Sequence, residues 1–88
     1  MYSYSQERHV LFTDDGQKMF LAIRDRVHRL LRQSGAVRMQ EAIAGTCGSS
    51  WEMLACVDRL VELGEIREIT GRSEAGQYRV FVSTEVTA

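Results

Sequence analysis

The sequence predicts an α+β fold, a three-helix core followed by a C-terminal two-stranded β-hairpin, and three observations predict it. Residues 49–64 carry Met53, Leu54, Val57, Leu60 and Val61 at helical spacing, which makes one stripe of a helix apolar. Phe20, Ile23, Val27, Leu30 and Leu31 repeat that spacing upstream. After Gly64, the runs 65–70 and 78–83 read as two strands around a glycine-containing tip at residues 71–76.

The chain of 88 residues is sized for one domain. Its content, 44% hydrophobic and 26% charged, is that of a globular protein rather than a disordered one. No run approaches the ~20 apolar residues of a membrane span. The first residues lack the basic start and apolar block of a signal peptide, so a cytoplasmic location is the default. Residues 1–40 hold seven Lys/Arg against four Asp/Glu, a balance of +3, and residues 41–88 hold four against eight, a balance of -4. The basic half is the upstream helix; the acidic half contains the second long helix and the hairpin.

The order along the chain is an N-terminal arm at 1–14, a folded domain at 15–83 and a disordered tail at 84–88. Residues 1–9, with Tyr2 and Tyr4 among serines, show no core periodicity and read as a frayed terminus. Residues 10–13 are short and apolar, an added strand or an arm that packs on a partner. Asp14 with Gln17 three residues later is a variant capping box, and the aspartates suit the positive end of the helix dipole. The first long helix is expected from about Asp15 to Gln33, stopped by Ser34-Gly35. Ala36–Arg38 reads as a short extended link with Val37 inward. Residues 39–44 form a helix of barely two turns that buries Met39, Ala42 and Ile43. Gly45 to Gly48 makes a sharp turn. Ser49 with Glu52 forms the S-x-x-E capping arrangement, and Gly64 stops the helix.

The expected core is Phe20, Ile23, Val27, Leu30, Ile43, Leu54, Val57, Leu60, Val61, Ile66 and Val80. Ile66 and Ile69 anchor the first strand; Tyr78, Val80 and Val82 share one face of the second, with Phe81 on the other.

Catalysis finds little to rest on. His9 and His28 are the only histidines, and no nucleophile elbow, phosphate loop or paired carboxylates appear. Cys47 and Cys56 form no C-x-x-C, so no zinc-ligand spacing exists and no metal or cofactor is expected. Cys56, beside the apolar stripe, reads as a small hydrophobe. His28 reads as an edge residue of the first long helix. The arginines of that helix read either as a solvated face or as a nucleic-acid patch. Trp51 reads as a half-buried ring at the edge of the core, or as a ring that stacks on a base or sugar.

The order helix, short strand, short helix, turn, long helix, hairpin resembles the winged helix-turn-helix domain. The local likeness is Val57-Asp-Arg-Leu-Val-Glu-Leu-Gly-Glu-Ile66. This run is similar to the V-x-R-L-x-x-x-G-x-I/V passage from recognition helix to first wing strand in small bacterial MarR-type transcriptional regulators. The resemblance covers about residues 17–83. It implies a DNA-binding transcriptional regulator, a homodimer joined through the N-terminal arm and first long helix, and a reading helix in the major groove. It places Ser49, Ser50, Trp51, Ala55 and Arg59 toward double-stranded DNA, Gln40 near a phosphate, and Arg72 and Gln77 on the wing. The alternative is a winged-helix protein–protein interaction module without DNA binding. The charges favour it in one respect: Asp58, Glu62, Glu68 and Glu74 would repel a polyanion.

Overall fold

The N-terminal segment is helical and folded back. The computed structural model describes residues 2–46, 49–71 and 76–84. Within them, α1 (Tyr4–Glu7) runs into a 3-10 segment, Arg8–Phe12. Then come α2 (Asp14–Ser34), β1 (Ala36–Arg38), α3 (Met39–Ile43), α4 (Ser50–Glu62) and β2 (Ile66–Glu68). A second 3-10 turn, Gly76–Tyr78, leads into β3 (Val80–Ser83).

The frayed terminus expected for residues 1–9 is therefore corrected from Tyr2 onward. No periodicity announced it, because α1 is one turn long and is fixed by residues more than 50 positions away. Leu11 is fully buried and joins the core. The junction is tight. Thr13, not Asp14, caps α2: its hydroxyl accepts from the Gly16 amide at 3.0 Å and donates to the Val10 carbonyl at 2.7 Å. The Gln17 side-chain amide donates to the Leu11 carbonyl. Gln17 thus ties down the preceding segment instead of closing a capping box with Asp14.

At the other end of α2, Gly35 takes the left-handed conformation (φ 79) and its amide donates to the Leu31 carbonyl at 2.8 Å. Arg38 is the N-cap of α3, and its backbone amide donates to the Glu41 carboxylate at 3.1 Å. Ser49 is the N-cap of α4 but makes no side-chain cap bond. The expected capping role of its hydroxyl is not found; only its carbonyl enters the helix ladder, accepting from Met53 at 3.0 Å.

Three strands form one antiparallel sheet in the order β1-β3-β2. The extended link at Ala36–Arg38 is thus a true strand, and the antiparallel pair of β2 and β3 has a third member. Ala36, Val37 and Arg38 pair with Val82, Phe81 and Val80; Ile66, Arg67 and Glu68 pair with Ser83, Val82 and Phe81. The inward set is Val37, Phe81 and Ile66, all buried. Val80, placed in the core by sequence, lies half-buried on the outer face instead, and Ile69 is 52% exposed. Residues one apart in a strand point to opposite faces, so a one-residue phase error inverts the whole strand.

The core comprises Leu11, Phe20, Ile23, Val27, Leu31, Val37, Met39, Ala42, Met53, Ala55, Cys56, Val57, Leu60, Ile66 and Phe81. Leu30, Ile43, Leu54 and Val61 pack on its margin. Among the described residues no helix is long and apolar enough to cross a membrane.

Candidate interaction face of α4

On α4, residues 51, 55, 58 and 62 fall one above another on one side of the helix. That side would read DNA if the chain followed the regulators it resembles. The N-terminal segment lies over most of it. The Tyr2 hydroxyl donates to Asp58 Oδ2 at 2.6 Å, and the Tyr4 hydroxyl donates to Glu62 Oε1 at 2.8 Å. The Arg8 guanidinium donates from Nε to both Glu62 oxygens at 3.0 and 3.1 Å. Arg59 also pairs with Glu62, and Arg8 and Arg59 both lie over the Phe12 ring.

Polar pairings thus hold the segment on α4, in addition to the burial of Leu11. Each tyrosine brings a donor to a carboxylate, the stronger kind of hydrogen bond. The Tyr4 and Arg59 hydrogen bonds, joined by Arg8, pull the Glu62 pKa down to about 2. Burial and the Glu62 carboxylate push Tyr4 up to about 12. Burial and the Asp58 hydrogen bond raise Tyr2 in the same direction.

A second cluster ties α4 to the sheet. Arg79 Nη2 donates to Asp58 Oδ1 at 2.7 Å and to Glu68 Oε1 at 2.9 Å. Thr70 adds a hydrogen bond to Glu68 Oε2 at 2.7 Å. Burial opposes ionisation of Glu68, but its bonds to Arg79 and Thr70 outweigh burial and hold its pKa below the usual carboxylate range. Among the described residues, the acids that sequence placed against DNA are thus engaged within the chain: Asp58 by Tyr2 and Arg79, Glu62 by Tyr4, Arg8 and Arg59, Glu68 by Arg79.

The residues assigned to DNA divide. Gln40, Ser49, Ser50, Trp51 and Gln77 are exposed, and Arg59 is half-buried against Glu62 and Phe12. Ala55 is fully buried, so its expected outward position is corrected: it shares the α4 side that the N-terminal segment packs against. Arg72, like Glu74 and Cys47, lies outside the described residues. Cys56 is buried, and burial pushes its thiol up to about 12, which fits a packing role.

The basic side of α2 faces a different feature. An open cleft of about 680 Å³ is lined by Arg24, His28, Leu31 and Arg32 of α2 and by Glu65, Ser83 and Thr84. Arg24 Nε and His28 Nε2 reach Glu65 Oε1 at 3.0 and 2.7 Å. Burial works against the Glu65 carboxylate, and these two partners outweigh it and keep its pKa low.

Tyr2, Tyr4, Arg8 and Arg79 are the residues that sequence reasoning missed. The only available signal was compositional: two tyrosines and an arginine in a short segment, and acids unexplained on a helix face. No protein-family model, curated protein or solved structure matches the chain.

Proposed function

We propose that this chain is a winged-helix module that holds another protein rather than one that reads DNA. The helix order and the sheet order β1-β3-β2 support the winged-helix part of the reading. One observation carries the functional part. Beyond its exposed first residues, the side of α4 that would enter a major groove is covered by the chain's own Tyr2, Tyr4 and Arg8, and Arg79 links that side to the sheet through Asp58 and Glu68. A duplex would have to displace this segment and then face Asp58 and Glu62. Uncovered, those acids repel phosphate and offer none of the counterion release that drives such binding.

A DNA-binding regulator remains the second reading. It rests on the exposed Ser49, Ser50 and Trp51 at the start of α4, with Gln40 and Gln77 also exposed. Titration of the full chain with random-sequence duplex DNA across a salt series separates the two. The interaction-module reading expects no salt-dependent binding at low ionic strength. Binding that weakens steeply with added salt would sink it.

A further inference from the structure

We propose that the outer face of the three-stranded sheet is a docking surface for an acidic amphipathic helix of a partner protein. The proposal rests on the interaction-module reading and names the surface and the partner's chemistry. The register sets out the face. One cross-strand row is Ala36, Val82 and Arg67; the next begins with Arg38 and Val80. The Ile69 amide donates to the Val80 carbonyl at 2.9 Å, which continues that row to Ile69. Tyr78, at the end of the second 3-10 turn just before β3, is 52% exposed.

The centre of the face is therefore apolar, with Val80 and Val82 half-buried, and Ile69 extends it exposed along the β2 edge. A sheet face of this kind is normally stabilised by packing a second layer on it. Each of its two edges carries one arginine. Arg38 on β1 and Arg67 on β2 are both exposed and flank the central strand β3. Glu41, at the Arg38 corner, directs its carboxylate to the Arg38 backbone amide. Glu68 lies on the opposite face, bound to Arg79.

Charge and spacing together select the occupant. Strands about 4.8 Å apart place two outer-strand residues about 10 Å apart, and slightly more along the diagonal. That span matches the roughly 10–12 Å width of a helix with its side chains. A helix laid over Val80 and Val82 would bring its flanking residues to Arg38 on one side and Arg67 on the other. Acidic flanks are attracted there and basic flanks are repelled, which sets both partner choice and orientation.

The test uses the full chain and two designed probes of about 18 residues, long enough to hold a helix. Both carry the same leucine stripe; one has glutamates on both flanks and the other lysines. Backbone NMR titration should show the glutamate probe shifting Ala36, Ile69, Val80 and Val82. The double variant Arg38→Glu/Arg67→Glu alters two exposed side chains and should fold normally by circular dichroism. It should weaken the glutamate probe about tenfold or more and bind the lysine probe in its place. Equal binding of both probes regardless of the variant would overturn the proposal. So would shifts at Phe12, Leu21 and Leu63 in place of the sheet. If neither probe binds and duplex DNA does not either, the docking surface is wrong while the interaction-module reading stands. Steeply salt-dependent DNA binding defeats that reading itself.

Discussion

Gly16 sets how closely the N-terminal segment can approach α2. A Cβ at this position would meet the Val10 carbonyl and the Leu11 Cα, which are backbone atoms that cannot rotate away. Gly16→Ala should therefore destabilise the protein by about 1 to 3 kcal/mol, the cost of overpacking. This runs against helix propensity, which favours alanine by about 1 kcal/mol. Urea unfolding measures the sign, and a stabilised variant would mean that the segment can move off α2. Leu60 presents the opposite case, a fully buried side chain in the helix stripe that sequence identified. Leu60→Ala should cost about 2 to 5 kcal/mol, read from the same unfolding curves. Loss of under 1 kcal/mol would show that the core collapses around the gap.

At the scale of elements, legibility followed periodicity. The two long helices repeat apolar residues over several turns, and α2 was expected at 15–33 against an observed Asp14–Ser34. Glycines at Gly35 and Gly64 marked real helix ends, both at positive φ. The β3 strand was legible as a strand and misread in phase. Val80, Phe81 and Val82 are all apolar, so alternation gave no contrast between its faces, and ring volume decided for Phe81. The N-terminal segment was illegible because it is held by pairings such as Tyr2 with Asp58, which no local window contains.

Those pairings make the segment's attachment to α4 dependent on pH at both ends of the scale. Glu62 falls from an ordinary 4.5 to about 2, so its contribution is complete above 4.5 and is lost as pH drops toward 2. Tyr4 rises from 10.0 to about 12, so its contribution is complete below 10 and is lost as pH climbs toward 12. An NMR titration of the Tyr4 ring should place its midpoint well above 10, and Glu62→Gln should bring it back down. A Tyr4 midpoint unmoved by that substitution would mean that the two side chains do not share a proton-sensitive contact.

The whole molecule balances a basic α2 against an acidic α4, and the N-terminal segment supplies part of the compensation that the acids of α4 need. This changes what the segment can do for self-association. The sequence implies a homodimer formed by the N-terminal arm and first long helix, with Tyr2, Tyr4, Val10, Leu11, Phe12 and Met19 as apolar surface to cover. In the folded chain Leu11 is in the core, and Tyr2 and Tyr4 pack against it while bonding α4. The arm is spent within its own molecule. A chain that starts at Thr13 would uncover Ala55 and the Leu11 site, and would leave Glu62 without Tyr4 and Arg8. It should associate at least as strongly as the full chain, if circular dichroism confirms that it keeps its helices. Sedimentation of both chains at matched concentrations decides the matter. A full-length dimer that becomes a folded monomer on truncation would return the arm to the role of a link between copies.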